Sequence, residues 1–298
     1  MNLPSWEVVL EVAVVGLMTG GVYSVMVSGL SLIFGVMRVI NVAHGAFLVL
    51  AAYLAYWTHA LLRLDPLLSV FVSAPAFFVL GMILERGLLA RTGRDPGLTV
   101  LVTFALAIVI AGVIGWAWET TPRAVRTTYT DSVVQLDLGG MELRIRMVRL
   151  LGMGEAIAVV GPLYAFLRWS DMGRAIRATM QNAEAAQLVG INLGRVRAVT
   201  FGLGLATVAA GGAMFALNFA FNPSSHEEWI SKMLSIVVLG GLGSLPGALI
   251  AAIVMGVVEA IASVTITTYL SPIVFYLLLF VVLIVRPEGL MGARVREA

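Results

Sequence analysis

Residues 168–204 read RWSDMGRAIRATMQNAEAAQLVGINLGRVRAVTFGLG and form the most polar and basic run of the chain, set between long apolar runs. A basic break of this kind in a membrane-spanning chain usually faces the cytoplasm, where another protein can dock on it. At its centre Glu184, Ala185 and Ala186 favour a short helix, and Gly190 can supply the left-handed residue that ends one. The alternative is an ordinary surface loop with one helical turn.

The composition of the chain indicates an integral membrane protein. Of the 298 residues, 60% are hydrophobic and 12% are charged, against the roughly 25% of charged residues that is usual in soluble domains. Lipid offers the backbone no hydrogen-bond partners, so spans must be helices or a closed barrel. The apolar runs are continuous rather than alternating, and the sequence therefore predicts an all-α bundle.

Nine apolar runs predict eight or nine transmembrane helices, of which one or two are broken because several runs are shorter than the ~20 residues of a full span. The whole chain, 1–298, is then a single transmembrane domain. The runs cover 8–37, 47–62, 67–84, 98–118, 147–167, 196–220, 230–242, 248–265 and 269–285.

The distribution of basic residues predicts the orientation. With the amino terminus outside and nine spans, twelve arginines fall in inside segments and seven basic residues, Lys232 among them, fall outside. The excess favours an outside amino terminus, an inside carboxyl terminus and a cytoplasmic segment 168–204.

Residues 119–146 form the longest predicted extracytoplasmic loop. Val134, Leu136 and Leu138 alternate with polar residues before Gly139-Gly140, and the alternation resumes afterwards. This pattern predicts a small β-hairpin with a Gly-Gly turn. The hairpin either caps the bundle, which is the preferred interpretation, or lies on the bilayer or an external partner.

Two segments interrupt apolar runs in the two halves of the chain, and both end in Gly-Ala-apolar, GAF at 45–47 and GAL at 247–249. Asn41 is expected to cap the helix that follows the first break, and Pro246 suits the start of the helix after the second. Paired breaks indicate a transporter built from internal repeats. His44 is alternatively a histidine hydrogen-bonded within the bundle. Glu259 either faces lipid, which is unfavourable for a charged side chain, or marks a helix end near the outer surface.

Other glycines need no ligand to explain them, since small residues allow close helix packing in membrane bundles. These are glycines 20, 21, 202, 204, 211 and 212.

The chain carries no recognisable catalytic constellation. It lacks a phosphate-binding loop and a His-Glu-x-x-His motif, its three histidines (His44, His59, His226) are scattered, and it has no cysteine. We therefore expect no enzyme activity, metal or cofactor, and the basic balance predicts inside loops rather than a nucleic-acid partner.

Four motifs, in this order, resemble those of the Liv-type permeases, the inner-membrane subunits of branched-chain amino acid ABC importers, and the H-type subunit most. The resemblance covers about residues 16–292 and is weakest over 99–149. The motifs are SLIFGVMRVINVAHG at 31–45, GINLG at 190–194, GGLGSLPG at 240–247 and RPEGLMG at 286–292.

The resemblance implies a multi-pass permease in a bacterial or archaeal plasma (inner) membrane. Its implied partners are an extracytoplasmic solute-binding protein, a second permease subunit, homologous or identical, and two cytoplasmic ATPases that bind the ATP. The implied coupling residues, which match the first half of the EAA motif or flank it, are Arg174, Arg177, Glu184, Ala185, Ala186 and Gly190. The second half of that motif is absent. The residues implied to lie near the translocation path are Asn41, His44, Gly45, Gly241, Gly243 and Ser244.

The sequence leaves the solute open, because the same family pattern serves importers of amides and urea. The sequence also leaves open a second class of function, a stand-alone secondary transporter or small-solute channel. A protein of that class would need no docking helix within 168–204. A membrane enzyme is disfavoured by the lack of an acid–base or metal cluster.

Overall fold

The computed structural model describes residues 6–93, 95–137, 142–266 and 270–292. These residues form eleven α-helices, one two-stranded sheet and a short 3₁₀ helix at Leu89–Thr92. The helices are α1 (Trp6–Met37), α2 (His44–Leu62), α3 (Pro66–Gly87), α4 (Pro96–Trp118), α5 (Met147–Trp169), α6 (Asp171–Gln181), α7 (Ala183–Leu188), α8 (Leu193–Asn218), α9 (Ser225–Gly240), α10 (Leu245–Thr265) and α11 (Ser271–Val285). The strands are β1 (Val133–Asp137) and β2 (Glu142–Arg146).

Seven of the described helices are long and apolar enough to cross a membrane, namely α1, α2, α3, α4, α5, α8 and α10. The helices α9, with 16 residues, and α11, with 15, are shorter. The prediction of a helical membrane protein with a small hairpin is confirmed, whereas the count of eight or nine spans is not.

Helix α8 occupies the centre of the bundle. Its most apolar window is 83% buried, against 22% for the corresponding windows of α3, α4 and α5, whose remaining surface is left for lipid or for other subunits. The core around α8 combines residues of α1, α2, α9 and α10. The bundle therefore has an inner group of helices surrounded by more exposed ones.

Small residues let the inner helices approach closely, as predicted. A Cβ atom on Gly20 of α1 would lie 2.5 Å from the Cα of Ile253 in α10, and Gly256 of α10 faces Gly20 in return. Gly212 of α8 is similarly placed against Ala51 of α2. Side chains at these glycines would push the helices apart, which explains the glycines without a ligand.

The two strands pair antiparallel, with Val134 opposite Ile145. The predicted Gly139-Gly140 turn lies outside the described residues. Leu143 and Ile145 are buried, and the backbone N–H of Arg144 donates to Glu11 Oε1 of α1 at 3.3 Å. The hairpin thus packs on the end of the bundle, which supports the preferred interpretation of a cap.

The two predicted helix starts differ in outcome. Ser244 caps α10, its Oγ accepting from the N–H of Gly247 at 3.2 Å, and Pro246 lies in the first turn as predicted. The prediction that Asn41 caps α2 is wrong, because α2 begins at His44 and Ala43 precedes it without a side-chain cap. Asn41 comes too early, and its side chain, 1% exposed, is buried in the bundle.

Candidate coupling surface and translocation path

Three caps divide residues 168–204 into short helices. The side-chain oxygens of Ser170, Asn182 and Asn192 accept backbone N–H groups in the first turns of α6, α7 and α8 at 2.9, 3.0 and 2.9 Å. Such bonds satisfy N–H groups that have no partner within a helix. Gly190 follows α7 with φ of +89°, the left-handed conformation predicted for it. The sequence therefore specifies a helix of six residues with defined ends.

Helix α7 presents most of its residues to solvent. Glu184 and Ala185 are exposed, whereas Ala186 is 4% exposed and attaches the helix to the protein. Leu188 and Val189 are 89% and 79% exposed. Exposed apolar side chains beside a polar helix are typical of an interaction surface. Sequence reasoning missed these two residues, since apolar residues are expected everywhere in such a chain.

The two predicted arginines of α6 have different surroundings. Arg174 forms an exposed ion pair with Asp171 one turn earlier in the same helix, a kind of pair that contributes little to stability. Arg177 lines a cavity of about 880 Å³ together with Gly243 and Ser244. Arg174 is thus directed to solvent, while Arg177 borders the interior at the same end of the bundle.

Helix α6 is anchored to helices that cross the membrane. Ile176 is fully buried in a cluster that includes Leu32 of α1 and Leu245 of α10. The guanidinium of Arg38, just after α1, donates to the carbonyl oxygen of Met180 at 2.9 Å. A displacement of α6 and α7 would therefore be transmitted to the ends of α1 and α10.

The last two sequence motifs contact each other through their backbones. The N–H groups of Leu290 and Met291 donate to the carbonyl oxygens of Leu239 and Gly240 at 2.8 and 3.0 Å. Gly241 follows with φ of +100°, which side chains rarely tolerate. The RPEGLMG segment thus holds the connection between α9 and α10 in place.

Three of the predicted path residues lie deep in the bundle. His44 Nε2 is 3.0 Å from the carbonyl oxygen of Met26, which precedes the end of α1 by eleven residues, about 16 Å along the helix. Gly45 packs against the backbone of His226 at the start of α9. Within the described residues, both polar side-chain atoms of Asn41 and Nδ1 of His44 are buried without a hydrogen-bond partner.

The other three predicted path residues, Gly241, Gly243 and Ser244, do not lie at the depth of His44. Gly243 packs against Gly35, nine residues after Met26 and about 14 Å further along α1. Gly241 and Ser244 belong to the same connection and lie at that end of the bundle. The two predicted groups occupy different depths.

A buried charged cluster was not foreseen. Lys232 Nζ and the hydroxyl of Tyr23 both donate to the carboxylate of Glu259 at 2.8 Å, and the ammonium lies 5.0 Å from the ring centroid of Trp229. The assignment of Lys232 to an outside loop is wrong, because it lies in α9 and is 6% exposed. Glu259 was visible in its apolar run, but its partners are remote in sequence.

Across the described ranges, no three His, Cys, Asp or Glu side chains form a group that could hold a metal ion. The expectation that the chain binds no cofactor or metal of its own stays a prediction.

The fold defines a helical integral membrane protein, with helix starts inside the bundle and an exposed capped helix at one end. A family model described as "Branched-chain amino acid transport system / permease component" matches residues 12–285. The chain belongs to this family, and the resemblance to Liv-type permeases is confirmed.

Relatives of this chain have similar length. The high-affinity branched-chain amino acid transport system permease protein LivH of Escherichia coli K12 is 27% identical, and LivH of Salmonella typhimurium is 26% identical, each with 93% of both chains covered. BraD of Pseudomonas aeruginosa, which carries the same description, is 26% identical with 95% of both chains covered. No solved structure shows significant similarity to the chain.

The chain is therefore a multi-pass protein of the inner membrane and a permease component of a transport system rather than an enzyme.

Proposed function

We propose that this chain forms the translocation path of a binding-protein-dependent ABC importer for branched-chain amino acids, and that cytoplasmic ATPases drive it by docking on α7. The observation that carries the proposal is the exposed, capped α7 with Leu188 and Val189 at its end. A stand-alone carrier or channel has no need of such a surface. The printed names of LivH and BraD support the solute class.

The anchoring of α6 supports a route for coupling. ATP binds to the partner ATPases, which pull or push α7 through contacts with Glu184, Ala185 and the exposed apolar pair, while Arg174 and Arg177 flank this contact. Because Ile176 belongs to the apolar cluster that also contains Leu32 of α1 and Leu245 of α10, movement of α6 tilts those helices together. Packed helices respond to such a displacement as rigid elements, which alternates access to the path.

The path residues act at two depths in this proposal. Asn41, His44 and Gly45 contact the solute near the middle of the bundle, where the unpartnered polar atoms of Asn41 and His44 offer hydrogen bonds. Gly241, Gly243 and Ser244 border the inner exit beside the 880 Å³ cavity. Helix starts at membrane depth are a recurrent feature of transporter sites.

We propose a topology of nine passes within one domain, 1–298, with the amino terminus outside and segment 168–204 in the cytoplasm. The short helices α9 and α11 supply the two passes beyond the seven long helices. With Lys232 inside the bundle, the outside count falls to six basic residues while the inside count stays at twelve, which strengthens the charge bias. Residues 119–146 then face the extracytoplasmic side.

The proposed assembly contains a second permease subunit, homologous or identical, two ATPases and an extracytoplasmic solute-binding protein. Exposed apolar residues along α4, such as Leu101, Ile108 and Val113, fit contact with lipid or with the second permease. The chain itself holds no cofactor in this assembly and contacts no nucleic acid.

The proposal is tested by uptake of labelled leucine into proteoliposomes that contain this chain, its partner subunits and enclosed ATP. Leu188→Ser is compared with Leu61→Ser, since Leu61 is 72% exposed at the far end of α2. We expect Leu188→Ser to reduce ATP-dependent uptake and stimulated ATP hydrolysis by about tenfold, the effect of about 1.4 kcal/mol at the interface, and Leu61→Ser to leave both unchanged.

The contact itself is testable because the chain has no cysteine. A single cysteine at Ala185 should cross-link to an ATPase subunit, whereas one at Leu61 should not. Uptake that continues without ATPases and ignores Leu188→Ser would instead identify a stand-alone carrier or channel.

A further inference from the structure

A cavity of about 310 Å³ lies at the end of the bundle opposite α7. The start of α1 and α5 and the ends of α8 and α10 surround it, so it opens at the extracytoplasmic face in the proposed topology. Arg149 and Glu259, two side chains of opposite charge, both line it. A volume of this size is at the lower end of the range for small-molecule sites.

Arg149 offers a half-buried positive charge to this cavity. Its Nη1 donates to Thr19 Oγ1 at 2.6 Å, which fixes the guanidinium but leaves most of its five N–H donors for another acceptor. Among the residues that the structure describes, Arg149 forms no ion pair, with Glu259 or with any other carboxylate. A partly desolvated cation without a counter-charge favours the binding of an anion.

Glu259 offers a carboxylate of fixed orientation to the same cavity. Lys232 donates to Oε1 and Tyr23 donates to Oε2, each at 2.8 Å, so that both oxygens are held in place. Each carboxylate oxygen can accept a further hydrogen bond. The side chain is 18% exposed, and this exposed part borders the cavity.

The remaining wall of the cavity is largely apolar. Val15 and Val22 of α1, Phe219 after α8 and Val264 of α10 contribute to it. A guanidinium, a carboxylate and an apolar wall together complement the three parts of an aliphatic amino acid: its carboxylate, its ammonium and its side chain.

We propose that this cavity is an outward-facing amino-acid site, in which Arg149 binds the carboxylate of the solute and Glu259 binds its ammonium. The inference rests on the proposed import of amino acids and adds a location and two specificity-determining residues. A solute with a carboxylate alone has no ammonium to donate to Glu259, so it is a weaker ligand than the full zwitterion.

The test measures binding to the full chain in nanodiscs by ligand-detected NMR. The probes are L-leucine, 4-methylpentanoate, which lacks the ammonium, and 3-methylbutylamine, which lacks the carboxylate. The variants are Arg149→Gln and the double variant Lys232→Met with Glu259→Gln, which avoids an unpaired buried ammonium. Arg126→Gln, an exposed arginine of the same outer region that does not line the cavity, is the control.

We expect wild type and the Arg126 variant to bind leucine about tenfold more tightly than either partial analogue. Arg149→Gln should weaken leucine and 4-methylpentanoate and leave 3-methylbutylamine unchanged. The double variant should reduce leucine to the affinity of 4-methylpentanoate. Arg149→Lys, which keeps the charge without the guanidinium fork, should restore part of the binding and shows that Arg149→Gln has not merely unfolded the chain.

Equal leucine binding by wild type and both binding-site variants, or no leucine binding by the wild type, would overturn the site. Uptake by the complete transporter separates this from the proposed function. If ATP-dependent leucine uptake continues with an unchanged KM in Arg149→Gln, the proposed site is refuted and the proposed importer function is retained. If the wild-type transporter takes up urea or amides but no amino acid, the proposed solute class is wrong, and the proposed amino-acid site is refuted together with it.

Discussion

The carbonyl oxygen of His226 lies 2.5 Å from the point that a Cβ atom on Gly45 would occupy. The first turns of α2 and α9 are therefore in direct backbone contact, inside the bundle and near the level of Met26. Helix starts carry partial positive charge, so two that meet at this depth favour the negative end of a polar solute. This contact joins the two halves of the chain where the proposed path passes.

Gly45→Ala should disrupt this contact. The added methyl would also lie 2.9 Å from Cβ of Ile230, so α9 must shift, and we expect a loss of about 1–3 kcal/mol in stability together with reduced uptake. Thermal unfolding in nanodiscs and leucine uptake measure both effects. Gly154→Ala in α5 is the control, because no atom lies within 4 Å of its added methyl. Equal stability and uptake for Gly45→Ala and wild type would contradict the close approach.

Sequence patterns predicted local features of the fold well. The caps, the left-handed Gly190 and the helix restart at Pro246 each depend on residues within one turn of each other. Such features can therefore be predicted from the local sequence. The prediction that Asn41 caps α2 was wrong because a cap must directly precede its helix, and α2 begins only at His44. The span count is not confirmed, because hydropathy does not distinguish a full crossing from a shorter helix such as α9.

The site was only partly accessible to the same reasoning. The short helix α7 was predicted from a motif, whereas Leu188 and Val189 look like core residues in the sequence and are exposed in the structure. Glu259 stood out in its apolar run, but Lys232 and Tyr23 are 27 and 236 positions away. Such pairing depends on which helices become neighbours, and a single sequence does not contain that information in a local form.

Removing one member of the Lys232–Glu259 pair should cost far more than removing both. Lys232→Met alone leaves a carboxylate of low exposure without its cation, and we expect a loss of about 3–5 kcal/mol. In the double variant with Glu259→Gln no charge remains unpaired, and the loss should be about 1 kcal/mol or less. A double-mutant cycle of thermal or denaturant unfolding measures the coupling. Additive losses would mean that the two side chains do not interact.

Tyr129 should make the outer region sensitive to high pH. Its hydroxyl donates to Asp65 Oδ1 at 2.9 Å, and burial, followed by this hydrogen bond to Asp65, raises the pKa of the phenol well above its usual value of 10.0. A pKa that is higher in the folded state gives stability that is fully present below about pH 10 and is lost as the pH rises further.

Tyr129→Phe should therefore lower stability by about 1–2 kcal/mol at pH 8, since the bond joins a hydroxyl to a carboxylate. Above pH 10 the difference between wild type and Tyr129→Phe should shrink. Unfolding curves of both proteins from pH 8 to pH 11 provide the measurement. A difference that stays constant over this range would show that the phenol does not titrate with folding.

The buried carboxyl of Glu155 in α5 should lower the stability of the folded chain. Both of its carboxylate oxygens are buried, and neither has a hydrogen-bond partner in the part of the chain that the structure describes. An unsatisfied carboxyl in apolar surroundings costs about 1–3 kcal/mol by comparison with an apolar side chain. Glu155→Leu should therefore raise the melting temperature of the isolated chain in nanodiscs.

Glu155→Gln is the matched control, because the amide has nearly the shape of the carboxyl and meets the same absence of partners. Its melting temperature should stay close to that of wild type, so that the gain in Glu155→Leu reflects the removal of polar atoms and not a change in volume alone. A lower melting temperature for Glu155→Leu would mean that the carboxyl is satisfied in the folded chain. The experiment thus measures directly what this intramembrane carboxyl costs before any partner subunit is added.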